Sequence, residues 1–538
     1  MKAWFDTHPR VVLFCGLLLL SIALYGSSLG NAFVLDDGPA VVSNPNAHWP
    51  PDLAGIATTN YWGSPPHYRD LTIYRPLTTL SFALVDGIAA GEAAPAAQRA
   101  VNIGLHALAS WLVALLILAW AGGLGAAWVA GVLFALHPVH SEAVLGVVSR
   151  AELLAAVFVL LAVLNHLGWA REEARPARVR RGLVGILLIA LALFSKENGA
   201  TVIVGLLLVD GVFALARRLG VKGHRGGAPW WVHLGNVGAL CGYMLVRSRV
   251  LSGLLAGDLN PYDNPLVGAG LLARVLTPFK LLLINCRLLV APLELTWDYS
   301  FNHVPVVYSV WDLAAWGGLA VAGIALALLV WAVRRDRALA TALVLFAASY
   351  SVVSNMVFLS TIIMAERILY LPSAFFLAAV VLVGVRAWPG EEAPWLRRGF
   401  ITALVLVSCG FAARTAVRIP EWRDGLALAE AGVRVAPDSA KARHMLGHEL
   451  AVAGRSAEAL SHYRASLALD PTNFMAYFNL GLALHKEGRT DEAMLAWEAA
   501  LLTSRGTHRD SRAALCTTAL GARRVDLLKQ WCPIRGEK

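Results

Sequence analysis

Apolar residues in this chain come in long unbroken runs, not in the alternating or one-faced patterns of soluble strands and helices. The hydrocarbon core of a bilayer takes roughly 20 helical residues to cross. On that measure the runs predict spans over Val11–Gly30, Ala100–Trp120, Ala126–Leu136 with its flanks, Glu152–Ala170, Gly182–Phe194 and Ala200–Ala216. They continue with Trp231–Leu251, Trp311–Val333, Leu339–Leu359, Ile368–Val385 and Phe400–Val417. Leu271–Pro292 is also long and apolar, but it carries Arg274, Lys280 and Arg287, which are costly at mid-bilayer. A helix lying along the outer interface, or re-entering from it, accommodates those charges. That reading leaves eleven spans and an outside C-terminus; a twelfth span, with the C-terminus inside, is the alternative. The first run outlasts a signal-peptide core and has no clean A-x-A end, so it reads as a retained span.

Basic residues between the runs gather in four places: Arg171–Arg181, Ala216–Arg225, Arg334–Arg337, and Arg386 with Arg397 and Arg398. Cytoplasmic loops retain Lys and Arg, so these clusters fix the inside face. The remaining connections fall outside: the long first loop (31–99), HPVHSEAVLGVVS, SKEN, 252–270, LTWDYSFNHVP and TIIMAER. Composition agrees, with 57% of 538 residues hydrophobic and 15% charged, against about a quarter charged in soluble domains. The net charge of +10 sits in short clusters and forms no basic stripe with interleaved aromatics, which argues against nucleic acid as a partner. Cys15, Cys241, Cys286 and Cys409 lie in apolar runs and read as small core residues. Cys516 and Cys532 lie beyond them and would pair if that end faces an oxidising compartment.

After Ile419 the composition turns soluble and a repeat emerges. Leu446-Gly447 recurs as Leu480-Gly481, Gly454 as Gly488, Glu458-Ala459 as Glu492-Ala493, and Pro437 as Pro471, each 34 residues on. This period, with small residues where paired helices touch, is similar to tetratricopeptide repeats. Leu426 and Ala431 belong to an incomplete preceding unit. Two and a half repeats are few for a free solenoid, so the array is expected to lean on the membrane region and end in a capping helix near Ser511–Gln530. The expected domains are a membrane domain (1–418), repeats (419–510) and a capping helix with tail (511–538). The repeat groove reads as a docking surface for protein partners.

The outer connections hold the candidate chemistry. Asp36 and Asp37, just past the first span, offer a general base for a hydroxyl with a second carboxylate beside it. A solvated acidic loop is the plain alternative. His137, His140 and Glu142 stand in LHPVHSEA, either as a phosphate- or metal-binding cluster or as polar residues at a Pro-broken helix end. The His pair lacks the i, i+4 relation of a metalloprotease. Arg150 and Glu152 open the next span, and Arg75 closes the first loop. Lys196 and Glu197, like Glu366 and Arg367, are sequence neighbours able to neutralise one another locally. Asp298 and Tyr299 follow the interfacial segment. Because Asp36, Asp37, Arg75, His137, His140, Arg150, Lys196, Asp298 and Arg367 all fall on one face, cations around paired carboxylates suit a lipid-linked phosphate donor and an acceptor hydroxyl.

FVLDD followed by Asn44, YRPLTTLSFAL, LHPVHSEAVLGVVSRAELLAA, FSKENG, DYS and AERILYLPS occur here in the order in which they occur in TMTC-type membrane O-mannosyltransferases. The chain resembles that family over most of residues 30–375, with the repeats following. The resemblance implies an all-α GT-C membrane bundle and a polyprenyl- or dolichyl-phosphate sugar donor. It also implies an acceptor hydroxyl on a protein or glycan, and a catalytic acid in the first outer loop, mapping onto Asp36 or Asp37. We assign the base to Asp36 with Asp37 in support. Arg75, His137, His140, Glu142, Arg150, Lys196, Asp298 and Arg367 would bind the donor's phosphate and sugar. Some GT-C enzymes need a divalent metal near this acid and others do not; one used here would fall to Asp37 and Glu142. An Ala-, Leu-, Arg- and Gly-rich composition looks bacterial, which places the loop and repeats in the periplasm at the inner membrane, or in the ER lumen of a eukaryote. The rival readings are a glycan transferase of the O-antigen-ligase or oligosaccharyltransferase kind, a transporter, and a non-catalytic membrane scaffold using its repeats.

Overall fold

A computed structural model describes residues 8–64, 73–169, 172, 174–221, 227–251, 259–300 and 303–532. Residues 171, 173 and 222–226 of the basic clusters, 252–258 and 301–302 of the outer connections, and the tail after 532 lie outside the described residues. Among the described residues the chain is helical with no strand. It forms two compact units, and the division falls at 424/425, six residues past the expected boundary. The second unit also takes in Asn260–Pro265 and Thr296–Pro305 from the membrane half of the sequence.

The first unit is built from α1 (Pro9–Tyr25), α2 (Pro76–Asp86), α3 (Ala94–Ala121), α4 (Leu124–Leu136), α5 (Arg150–Trp169), α6 (Arg175–Ser195) and α7 (Thr201–Arg218). It continues with α8 (Trp230–Val250), α9 (Leu271–Val290), α10 (Leu313–Arg335), α11 (Arg337–Ser351), α12 (Tyr370–Arg386) and α13 (Pro394–Arg418). Seven of these helices, with their short extensions, are long and apolar enough to cross a membrane, and α4 with the bent segment Pro138–Leu145 makes an eighth. Helices α6 and α8 carry arginines at one end, and α11 has 15 residues. All three pack within the bundle. Small residues set the close approaches: Gly131 lies under Leu17, Gly235 under Ile186, and Gly205 against Leu345 and Ala348. Helices α10 and α13 leave long apolar faces exposed, including Ile324, Leu326, Val405 and Leu406, as lipid-facing helices do. The molecule is an integral membrane protein. Cys15, Cys241 and Cys409 are exposed, not core residues as expected; they sit on such outward faces.

Helix α9 packs chiefly against α10. Its Thr277 accepts from the Val307 amide at 3.0 Å, and Lys280 pairs with Asp312, the N-cap of α10, at 3.3 Å. Its C-terminal Leu289 carbonyl meets His137, which follows α4, at 3.0 Å. Arginines stand at the start of α6 and at the ends of α7, α10 and α12.

In the second unit, α14 (Gly425–Val435), α15 (Ala440–Val452), α16 (Ser456–Leu469), α17 (Phe474–Lys486), α18 (Thr490–Thr503), α19 (Arg509–Gly521) and α20 (Val525–Trp531) stack in order. The 34-residue period is visible as structure. Ser439 and Asn473 cap α15 and α17 through their side chains. Gly447 and Gly481 lie against Tyr463 and Trp497, where any side chain would collide. One core joins Leu446, Leu450, Tyr463, Leu484, Trp497 and Leu501 to Leu515 and Leu527 of the closing helices. Cys516 and Cys532 are bonded there, with Cα atoms 5.7 Å apart.

Candidate functional site

The first outer loop is pinned before it presents its acids. Asn31 donates to the Trp422 carbonyl at 3.1 Å, and the Ala32 amide donates to the Arg423 carbonyl at 2.8 Å. Leu35 then adopts φ +49°, a left-handed conformation uncommon for a residue with a side chain. Such strain persists only where surrounding bonds hold it. The turn splits the two acids: Asp36 is exposed and Asp37 is fully buried.

Asp37 accepts the Val148 amide on one oxygen at 2.7 Å and the Val34 amide on the other at 3.2 Å. Its carboxyl is pushed up from 3.8 to about 6, because burial outweighs those bonds and the charge of Arg99. Asp37 also acts on Arg150. Beneath the loop, Asn44 organises the return: its amide donates to the Ala40 and Tyr61 carbonyls at 3.2 and 3.0 Å. Tyr61 donates to the Val148 carbonyl at 3.1 Å, and burial raises its hydroxyl, keeping it neutral.

Three cation–carboxylate pairs stand at this end. Arg75 binds Glu197 through two nitrogens at 3.0 and 3.1 Å and covers the Tyr61 ring at 5.3 Å. Lys196 pairs with Glu152, whose second oxygen accepts from Asn198 at 2.9 Å. Arg367 pairs with Glu142 and also gives it a backbone amide at 2.8 Å. The carboxylates Glu142 and Glu152 are buried, whereas the Arg367 and Lys196 side chains retain 29% and 13% of their exposure, so the cations keep partial access to solvent. The charges of Arg75 and Arg367 reach Lys196, and that of Asp36 reaches Arg367. The neighbours expected to neutralise one another therefore do not: in these tight turns adjacent side chains diverge, and Lys196, Glu197 and Arg367 each find a partner from a distant segment. Glu366 turns to Arg418, also at 3.5 Å from a distant helix.

Other candidates are placed elsewhere. His137 and His140 are buried with both ring nitrogens taken. His137 meets the Leu289 carbonyl and the Val139 amide, and His140 meets the Phe134 carbonyl and the Ser373 hydroxyl. They join helices. Arg150 is fully buried, donating to Asn102 at 2.9 Å and to the Ser81 and Gln98 carbonyls at 3.2 and 2.6 Å, with Phe82 under its guanidinium. Asp298 lies in the second unit, held by Ser300 at 2.7 Å, Ser439 at 3.3 Å and Lys441 at 3.6 Å. Among the described residues no group of three or more His, Cys, Asp or Glu converges as a metal site. Both oxygens of Asp37 and of Glu142, the carboxylates named for a metal, are bonded to the chain's own donors.

Arg99 escaped the sequence reading altogether. It lies in α3, fully buried, and nothing in its surroundings along the chain distinguishes it from a helix-end charge.

Comparison with known proteins follows this geometry. Residues 256–326 match the family model described as protein O-mannosyl-transferase TMTC, DUF1736, and residues 444–511 match a tetratricopeptide repeat model. The chain is 29% identical to mouse protein O-mannosyl-transferase TMTC3, over 88% of this chain and 53% of that protein. It is 30% identical to human protein O-mannosyl-transferase TMTC1, over 86% of this chain and 55% of the relative. With Caenorhabditis elegans protein O-mannosyl-transferase F38B6.6 the identity is 29%, over 85% and 62%. The chain thus spans between half and two thirds of the length of these relatives. Across its membrane region and repeats the chain is similar to the TMTC protein O-mannosyl-transferases.

Proposed function

We propose that this chain is a GT-C-type membrane glycosyltransferase. It moves a sugar, mannose by analogy with the relatives' names, from a polyprenyl-phosphate donor to a hydroxyl on a protein or glycan acceptor. The observation that carries the reading is the exposed Asp36 within electrostatic reach of partly exposed Arg367, with Lys196 and Arg75 linked to it through the same charges. Asp36 takes the proton of the acceptor hydroxyl as its oxygen attacks the anomeric carbon. The bond from that carbon to the phosphate oxygen breaks, and the lipid phosphate leaves with the electron pair. Arg75, Lys196 and Arg367 stabilise the charge it gains. Asp37 is the shared counter-ion of buried Arg99 and Arg150, which supports giving the base role to Asp36.

The basic helix ends favour a non-cytoplasmic position for this site. The bonded Cys516 and Cys532 favour an oxidising compartment for the repeats, the periplasm in a bacterium. Purified protein incubated with radiolabelled polyprenyl-phosphate sugars and a periplasmic extract tests the reading. Label should reach a macromolecule with wild-type protein and not with Asp36→Asn. Equal transfer by both proteins would refute it.

A further inference from the structure

The polar core under the acidic loop has a second layer that no ligand can touch. Arg99 donates to four main-chain carbonyls drawn from two segments far apart in sequence. Three belong to the end of the first span and the loop that follows: Ser28 at 3.1 Å, Asn31 at 2.7 Å and Ala32 at 2.8 Å. The fourth, Leu145 at 3.1 Å, ends the short helix Ser141–Leu145 that bears Glu142. One turn along α3, Asn102 repeats the grip on that second segment, donating to the Val144 and Gly146 carbonyls at 3.3 and 3.1 Å. Asn102 is in turn held by Arg150. The planar guanidinium suits this work because its five N–H groups are fixed in direction, so it holds carbonyls from different segments in one mutual arrangement.

We propose that Arg99 is the positioning residue of the proposed transfer site: it sets the Asp36–Asp37 turn in register with the helix carrying Glu142, and through Glu142 with Arg367. The inference rests on the functional reading above only for its consequence, not for its geometry. Arg99 itself reaches neither solvent nor any reacting group. Its partners are carbonyls, which keep their shape whether or not substrate is present, so the register is built before binding. A loop strained at Leu35 needs such a fixed seat, because an unpinned turn would relax into ordinary backbone conformations.

Hydrogen–deuterium exchange on the full-length protein in detergent tests this without any need to know the sugar. Arg99→Gln should speed exchange about tenfold or more in peptides covering 31–43 and 141–149, leaving α10–α13 and the repeats at wild-type rates. Arg99→Lys keeps the charge but loses the fork, so it should give an intermediate rise in the same two peptides. Unchanged exchange there, or a uniform rise across the whole bundle in both variants, would overturn the proposal. If Arg99→Gln does not fold, Arg99→Lys decides alone on the same two outcomes. In the transfer assay Arg99→Lys should lower kcat about tenfold with the donor KM unchanged, as misplacement of catalytic groups does. A raised donor KM at unchanged kcat would count against positioning. Asp36→Asn separates the two layers: its full transfer activity would remove the functional reading, while the exchange result would still judge Arg99.

Discussion

Replacing each of the adjacent acids by Asn should produce opposite defects. Asp36 is exposed and its charge reaches Arg367, so Asp36→Asn should leave stability as it is and remove the proposed general base. A positioned base is worth roughly 10²–10⁴ in rate, which is about 3–5 kcal/mol of barrier. Asp37 is different in kind. Its charge offsets two buried guanidiniums, and its oxygens accept two amides. Asn keeps one acceptor but sets an NH2 against the second amide, and leaving a buried amide unpaired costs about 1–3 kcal/mol. The assay is tryptophan-fluorescence melting of the detergent-purified proteins, run beside sugar transfer. Asp37→Asn should melt well below wild type, and Asp36→Asn should melt with it yet transfer nothing measurable. A stable Asp37→Asn with wild-type melting would refute the argument from the two amides. Full activity in Asp36→Asn with none in a folded Asp37→Asn would reverse the assignment of the base.

The other predictions follow from the same contacts. Asp37 has its carboxyl raised to about 6 from 3.8, so the folded protein holds a proton that the unfolded chain releases between those values. Its contribution to stability is therefore greatest below pH 3.8 and is lost as pH rises through 6. Transfer should instead fall as pH drops below about 6, where the counter-ion is neutralised. Activity and melting measured from pH 5 to 7.5 should part company, and a joint loss of both on acidification would contradict this. Reducing the Cys516–Cys532 bond, or replacing both residues by Ser, should loosen α19 and α20 by about 2–4 kcal/mol, read as earlier proteolysis after 508. Gly481→Ala would press a methyl into the Trp497 indole, which is itself buried, and should destabilise the repeats by about 1–3 kcal/mol in a urea titration followed by Trp fluorescence.

How much of this was legible depends on how far apart the interacting residues are. The repeat was readable because its contacts recur every 34 residues, so Gly447 and Gly481 predict their own neighbours. The site's membership was half readable. Asp36, Asp37, Arg75, Glu142, Lys196 and Arg367 gather as the loop topology required, but their pairing was not foreseeable, because Lys196 joins Glu152 and Arg75 joins Glu197 across 44 and 122 residues. Residue type misled where a polar side chain serves the fold. His137, His140 and Arg150 have the chemistry of ligands, yet the hydrogen bonds the structure gives them are made with carbonyls, hydroxyls and amides of the fold itself. In a membrane bundle such satisfaction is demanded wherever a polar group is buried, so burial rather than type separates the residues that build the site from those that work in it. Asp36 and Asp37 make the point at one residue's distance. They are identical in chemistry and adjacent in sequence, and a single left-handed residue before them sends one into the core and the other out to where a substrate can come.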